Sequence, residues 1–376
     1  MFCIGGHNLD INQINNRDVH YAIGGMAQYY DSLLECISYR ITPNIKKIVI
    51  NTSVQPNSSP HFGTITTLFC AFVFSKMIRD AYNIKTLVEI DFVDCCPSAS
   101  YHKNGGEQCF SISNISFSES EKISIAEYYI GNFYIPLLNW VKEASGIDFS
   151  IRRYKEFQEQ KAVREALISI CNDHVFFENL LSPKTKKLHI RTECPFCGRM
   201  DKMLKNTRII EINEKTLKIS SYCEVHGNYT VKIKKDNHSY FEINTQLRDI
   251  VKGILMNDYM RNNVLGIMLD GGDWGGTWTH SVHCIALQRL KCPIPLRLFS
   301  PLILDWSGGK LSKSIYRTEN IAFESPIEDY PSFISKFGEK GLEHIYLEVE
   351  NWLSEPKKFF RNYSLEYILE VLKNCN

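Results

Sequence analysis

A strand, a turn and a long apolar helix are predicted in direct succession, and this order limits the folds open to the chain. The run at residues 47–50 is rich in β-branched residues, which is typical of a buried strand of a parallel sheet. Residues 65–79 are long and apolar enough for a helix, and residues 60–64 (PHFGT) stand before it. The pattern predicts an α/β fold with a small-residue turn at the carboxyl end of a strand.

The turn before this helix has the properties of an anion site. The first peptide N–H groups of a helix have no partner within the helix and carry the positive end of its dipole, which favours a polyanion. Gly63 lets a flat ring or a phosphate approach the backbone, and the His61 imidazole can donate to a phosphoryl oxygen as charge builds. We therefore predict contacts to phosphate or nucleotide from Pro60, His61, Gly63 and Thr64.

A second segment, residues 310–314 (KLSKS), follows a Ser-Gly-Gly run. Its lysines, Lys310 and Lys313, are predicted to lie on a flexible loop that closes over phosphates and neutralises the leaving group, with contacts from Ser312 and Ser314. Each segment alone is more often an ordinary turn or a solvated loop. Their order and combination predict a triphosphate site.

Two knuckles in the middle of the chain have metal-ligand spacing. Cys194 and Cys197 form the first, Cys223 and His226 form the second, and glycine follows each pair. Four such ligands suit tetrahedral zinc and leave no open position, so a structural site is predicted rather than chance spacing among the 13 cysteines. Alternation of side chains predicts the strands of a zinc ribbon at residues 207–212, 216–219 and 229–233.

Two further strand ends carry acidic residues. Residues 265–270 are predicted as a strand that ends at Gly271 and Asp273, in the place where open α/β sheets bind ligands. The strand at residues 86–94 contains Asp91 and Asp94, which could receive an α-ammonium or a basic side chain, although acidic strand ends also cap loops.

The two segments resemble the HIGH and KMSKS signatures of class I aminoacyl-tRNA synthetases. The second differs only at Leu311, and the first has Phe62 at its variable position and Thr64 in place of the second histidine. Residues 52–61 (TSVQPNSSPH) resemble the serine- and proline-rich approach to this signature in the class I lysyl-tRNA synthetases. That subgroup also carries zinc knuckles inserted in its catalytic domain.

This resemblance implies a doubly wound, Rossmann-like parallel sheet of the HUP type with an inserted zinc ribbon and a short helical C-terminal segment. It implies ATP as a substrate, Mg²⁺ with the nucleotide and structural Zn²⁺. The expected catalytic residues are His61, Lys310 and Lys313; the expected ATP-binding residues are Pro60, Gly63, Thr64, Gly271, Asp273, Ser312 and Ser314; the expected amino-acid-binding residues are Thr52, Ser53, Asp91, Asp94 and His280. The expected division is an N-terminal extension (1–45), the first half of the nucleotide-binding domain (46–190), the ribbon (191–235), the second half (236–318) and the helical segment (319–376).

The reaction implied is activation of an amino acid as its adenylate, and three hypotheses about the fate of the aminoacyl group stay open. The first is transfer to a tRNA acceptor end, and the second is transfer to a small molecule, a carrier or a protein. The third is a catalytically silent fold that binds nucleotide or RNA. The net charge of +1 provides no overall basic field for RNA. The segment after Ser314 is too short for an anticodon-binding region of the size these enzymes carry.

Location and assembly are the least constrained properties. No basic region followed by an apolar core begins the chain, and the longest apolar run, residues 68–74, is too short to cross a bilayer. The cysteines outside the knuckles show no paired framework, which is typical of a reducing compartment. We expect a cytoplasmic protein without a membrane partner, and the oligomeric state stays open.

Overall fold

The computed structural model describes residues 19–20, 27–98, 101–103, 106–118, 120, 122–311 and 327–375. Its strands are β1 Val19–His20, β2 Lys47–Val54, β3 Lys85–Phe92, β4 Tyr101–Lys103, β5 Gly106–Cys109, β6 Phe149–Arg153, β7 Ile190–Arg191, β8 Met200–Asp201, β9 Arg208–Asn213, β10 Thr216–Cys223, β11 Gly227–Lys234, β12 Glu242–Ile243, β13 Val264–Gly271, β14 Leu296–Ser300, β15 Ile303–Leu304 and β16 Tyr363–Ser364. Its helices are α1 Glu35–Ser38, α2 Phe62–Tyr82, α3 Ile125–Tyr129, α4 Ile135–Ser145, α5 Tyr154–Glu159, α6 Lys161–Asn172, α7 His174–Leu181, α8 Thr245–Tyr259, α9 Cys284–Arg289, α10 Tyr330–Ser354, α11 Pro356–Phe359 and α12 Leu365–Val371.

The main sheet is parallel throughout, with the strand order β1-β14-β13-β2-β3-β6. From β2 the chain proceeds to β3 and β6 on one side, then returns to β13 and β14 on the other. The order therefore reverses between β2 and β13, which is the topological switch point of a doubly wound sheet. Helices flank the sheet in two groups: α2 packs with α4 and α10, and α8 packs with α6 and α9. The predicted Rossmann-like class is confirmed.

Helix α2 forms much of the core. It extends the predicted helix at both ends and contacts β2, β3 and β13. Among the described residues it is the one helix long and apolar enough to cross a membrane, with a mean hydropathy of 1.3, yet 67% of that window is buried inside the fold. Burial against the sheet accounts for its apolar character.

The insertion between the two halves of the sheet is anchored by a short pair of strands. Strands β7 and β12 pair antiparallel at its base, and Arg191 of β7 forms a buried ion pair with Glu242 of β12. Beyond this base, β9, β10 and β11 form an antiparallel sheet, as the alternation predicted. The base and the sheet together fix the ribbon relative to the main body.

The C-terminal helices pack onto the main body. Helix α10 lies against α2, and β16 pairs with β15. The start of α10 also contacts the turn before α2, where Tyr330 N–H donates to Pro60 O over 2.8 Å and Ser59 Oγ donates to Asp329 over 3.0 Å. The predicted helical segment thus supports the turn that carries His61.

Candidate functional site

A cavity of about 310 Å³ opens at the carboxyl ends of β2 and β13, the position expected for a ligand site in a doubly wound sheet. Its walls come from the loop after β2, the start of α2, one face of α8, the turn after β13 and the loop that follows β14. The predicted site residues that line it are Thr52, Ser53, His61, Gly63, Thr64, Gly271, Asp273 and Lys310.

His61 is the N-terminal cap of α2, and its ring is held by the backbone. Its Nδ1 accepts from the Thr64 N–H over 3.2 Å, so the proton of the neutral ring is on Nε2. A Cβ at Gly63 would lie 3.2 Å from Cε1 and Nδ1 of this ring, so the glycine makes room for it. Desolvation of the ring by the surrounding protein and the positive charge of Lys310 lower the pKa of His61 to about 4, although the negative charge of Asp273 acts in the opposite direction. His61 is thus a neutral hydrogen-bond donor near pH 7.

Asp273 and Lys310 join two loops across the mouth of the cavity. Lys310 Nζ lies 2.7 Å from Asp273 Oδ2, and both side chains are more than a third exposed. The loop before Lys310 is held by Asp305, whose carboxylate accepts from the Ser307 N–H over 2.8 Å and the Gly309 N–H over 3.1 Å. Ser312, Lys313 and Ser314 lie outside the described residues, so the predictions made for them stay predictions.

A buried cluster of charges beneath the cavity was not predicted from the sequence. Lys252 Nζ lies 3.1 Å from Ser53 Oγ and 3.3 Å from Asp270 Oδ1. Arg297 is fully buried and binds both Asp249, over 2.8 Å and 2.9 Å, and Asp270, over 3.0 Å. Burial alone would raise the pKa of Asp249, but Arg297 and its other donors hold it well below its usual range.

The sequence did contain a signal for this cluster. Arg248, Asp249 and Lys252 are charged residues that lie among apolar residues in the first half of α8, and all three are buried. Charged side chains are rarely buried unless they are paired or bind a ligand. That signal points to the cavity but does not identify the partners.

Asp91, Asp94 and His280 do not line the cavity. Asp91 is bound by Arg152 through Nε over 2.7 Å and Nη2 over 3.0 Å. Asp94 accepts from Arg153 Nε over 2.7 Å. His280 is exposed on a π-helical turn, Thr279–His283. Pro60 is buried and does not line the cavity either. The acidic residues of the cavity lining are instead Asp249, Asp270 and Asp273.

The four predicted metal ligands come together where the loop after β7 meets the turn between β10 and β11. Their ligand atoms all lie within 4.8 Å of one another. Cys194 Sγ is 3.6 Å from His226 Nδ1, and Cys197 Sγ is 3.6 Å from Cys223 Sγ. With bonds of about 2.3 Å to sulfur and about 2.0–2.1 Å to nitrogen, a tetrahedral zinc ion places its ligand atoms roughly 3.5–3.8 Å apart. The donor set and its spacing fit Zn²⁺.

Two glycines shape these knuckles. Gly198 has φ +75° and Gly227 has φ +76°, a backbone conformation that favours glycine. The Gly198 N–H donates to Cys194 O over 2.8 Å, which closes the first knuckle. The glycine after each ligand pair thus has the left-handed conformation of the tight turn.

Comparisons with known proteins find solved structures that are distantly similar to this chain. No family model and no curated protein sequence match the chain. A structure described as an arginyl-tRNA synthetase from Campylobacter jejuni matches with TM-score 0.36 and 12% identity, over 81% of this chain and 63% of that one. A glutamate-tRNA synthetase from Elizabethkingia anophelis matches with TM-score 0.38 and 11% identity, over 86% and 70%. A glutamate tRNA ligase from Elizabethkingia meningosepticum, in complex with its amino acid, matches with TM-score 0.33 and 13% identity, over 75% and 54%.

Proposed function

We propose that this chain activates an amino acid with ATP and transfers the aminoacyl group to a tRNA acceptor end. In the first step a carboxylate oxygen attacks the α-phosphorus, the bond to the bridging oxygen of the β-phosphate breaks, and pyrophosphate leaves. The observation that carries this proposal is the meeting of His61, Asp273 and Lys310 around one cavity at the switch point of the sheet. Parts of both signature-like segments thus contribute to the same site.

His61 and the start of α2 stabilise the transition state in this proposal. The neutral ring donates from Nε2 to a phosphoryl oxygen, and the positive end of the α2 dipole favours the same negative charge. Because the ring already accepts from the Thr64 N–H, little reorganisation is needed when charge develops.

Asp273 and Lys310 have different partners in the presence of ATP. Asp273 accepts from the ribose hydroxyls, and Lys310 turns to the β- and γ-phosphates together with Lys313. The ion pair between them is partly exposed, so breaking it costs little compared with the gain from neutralising a triphosphate. Mg²⁺ enters with the nucleotide as a counter-ion of its phosphates.

The zinc ribbon is a structural element in this proposal and helps to position the acceptor. Zinc supplies the cross-link that holds the two knuckles together, since four protein ligands leave no position for a substrate. The ribbon is fixed to the main body through β7 and β12, so it can provide a rigid contact surface.

The test is exchange of labelled pyrophosphate into ATP, run separately with each of the twenty amino acids. Total tRNA is then added with the amino acid that supports exchange, and acid-precipitable product is counted. Exchange followed by charging supports both steps. Exchange without charging supports adenylation and moves the acceptor to a small molecule, a carrier or a protein. Absence of exchange with every amino acid would overturn the proposal and favour a silent nucleotide or RNA binder.

A further inference from the structure

Arg248 is a cation on the cavity wall, and the side-chain bonds it forms within the described part of the chain are to neutral acceptors. Its Nη1 donates to Ile243 O over 3.4 Å and its Nη2 donates to Thr245 Oγ1 over 3.2 Å, both neutral acceptors. Among the residues that the structure describes, no carboxylate forms an ion pair with it. The residue is only 7% exposed, and it lines the cavity. A buried guanidinium in this state is stabilised when an anion arrives.

The other charges of the cavity floor are already paired. Lys252 binds Asp270, and Arg297 binds Asp249 and Asp270. Counted over the described residues, the floor thus holds three cations, Arg248, Lys252 and Arg297, against two carboxylates, Asp249 and Asp270. The nearby Glu242 does not change this balance because Arg191 neutralises it. One positive charge remains for a ligand.

The placement of this surplus charge is specific. Arg248 and Lys252 are one turn apart on α8 and both line the cavity, an arrangement in which like charges repel. Asp270 relieves that repulsion for Lys252, and a ligand anion would relieve it for Arg248. A substrate with a lysine or arginine side chain would place a further positive charge beside Arg248 and Lys252. The wall therefore discriminates against basic amino acids.

We infer that the amino acid activated here has an acidic side chain, and that its side-chain carboxylate pairs with Arg248. The inference rests on the proposed function and names the substrate class for that same cavity. The α-carboxylate of the substrate is required elsewhere, because it must reach the α-phosphorus beside His61 and Lys310. Those residues come from α2 and from the loop after β15, whereas Arg248 comes from α8. Arg248 is thus a specificity-determining residue and takes the second carboxylate.

The first experiment compares aspartate, glutamate, asparagine, glutamine and lysine in pyrophosphate exchange with the wild-type chain. We expect exchange with aspartate or glutamate, and at least about tenfold lower kcat/KM for the corresponding amide, since a charged hydrogen-bond pair is replaced by a neutral one. Exchange with a neutral or basic amino acid alone would overturn the inference and leave the proposed function standing. No exchange with any of the twenty would overturn both.

The second experiment compares Arg248→Gln and Arg248→Lys with the exposed control Arg261→Gln, which does not line the cavity. Arg248→Gln should raise KM for the acidic amino acid roughly 10- to 100-fold and leave KM for ATP within about twofold. Arg248→Lys retains the charge and should recover part of the loss. If KM for ATP rises instead, Arg248 binds phosphate and the inference is wrong. If Arg248→Gln does not fold, the inference is still tested by Arg248→Lys and by the comparison of acidic amino acids with their amides in the wild-type chain.

Discussion

Lys310 Nζ lies 2.7 Å from Asp273 Oδ2, and this ion pair joins two loops whose proposed partners are different parts of one nucleotide. Asp273 follows β13, and Lys310 follows β15. Each residue neutralises the other in the absence of ligand. ATP must separate them if Asp273 is to bind ribose and Lys310 is to bind phosphate. In the proposed mechanism this pair would couple nucleotide binding to a change of partner at Lys310.

Asp273→Asn should weaken ATP binding without unfolding the chain. Loss of the ribose acceptor should raise KM for ATP about tenfold, since hydrogen bonds to charged groups contribute roughly 1.5–3 kcal/mol. The free energy of unfolding should change little, because exposed ion pairs contribute about 0–1 kcal/mol. Exchange kinetics and urea unfolding measure the two quantities. Asp258→Asn, which breaks an exposed pair with Arg261, is the matched control. An unchanged KM for ATP would exclude Asp273 from the nucleotide site.

His61→Ala should slow adenylate formation about 10²–10³-fold, as expected when one donor to developing charge is removed. KM for the amino acid should stay nearly constant, because the contact strengthens only in the transition state. Pyrophosphate exchange at saturating substrates measures the rate. His344→Ala on the exposed face of α10 is the control. A rate within twofold of wild type would remove His61 from the proposed mechanism.

Gly63→Ala should reduce exchange about tenfold or more while leaving stability unchanged or slightly raised. A Cβ at this position would lie 3.2 Å from the His61 ring and force it to shift, and small misplacement of a reacting group is costly. Alanine also favours the helix by up to about 1 kcal/mol relative to glycine. The melting temperature should therefore stay constant or rise slightly, while the rate of pyrophosphate exchange falls. Gly131→Ala, where a Cβ meets no atom within 4 Å, is the matched control.

Cys194→Ser should remove zinc and unfold the ribbon locally. Wild-type chain should contain about one zinc per chain by elemental analysis, and the variant much less, since zinc binding contributes roughly 10–16 kcal/mol in small zinc domains. Hydrogen exchange should rise in residues 192–241 and stay low in β2 and β13. Cys292→Ser, outside the four-ligand cluster, is the control. Full zinc content in the Cys194 variant would show that the predicted ligand set is wrong.

His283 should make the fold less stable as the pH falls from about 6.5 to about 4. The ring is fully buried, and burial lowers its pKa to about 4, with Asp249 opposing and Arg297 adding to that effect. In this window the unfolded chain binds a proton that the folded chain does not, so the free energy of unfolding falls by up to about 3 kcal/mol. Urea unfolding at several pH values should show that the free energy of unfolding falls less with pH in His283→Gln than in the wild-type chain. The control variant His344→Gln should show the same fall as the wild-type chain. An equal decrease in both variants would contradict this assignment.

The features predicted correctly depend on residues close together in the chain. The turn before α2 is determined by a strand end, a capping residue and a glycine within a few positions. The knuckles likewise depend on two ligand pairs and the glycines that follow them. Local backbone geometry and side-chain chemistry act over these distances, so a sequence pattern is sufficient to identify them.

The expectation for Asp91 and Asp94 shows that local patterns do not predict contacts between strands. Both acids stand at a strand end, as the sequence indicated, but β6 pairs with β3 in a register that puts Arg152 opposite Asp91. Arg153 of the same strand binds Asp94. No local signal states that these strands are neighbours. The two arginines therefore form ion pairs with the carboxylates that were expected to bind substrate.

By itself the sequence determined the α/β class, the turn with His61 and Gly63 before a long apolar helix, and the cluster of three cysteines and one histidine with metal-ligand spacing. Only the tertiary structure decided that Lys252, 199 residues from Ser53, lies beside it, and that Arg248 remains without a carboxylate partner among the described residues. The physical reason is that a capping bond or a metal knuckle is complete within a few residues. The charge balance of a cavity depends on the sum of side chains from several strands and helices, and their packing alone brings them together.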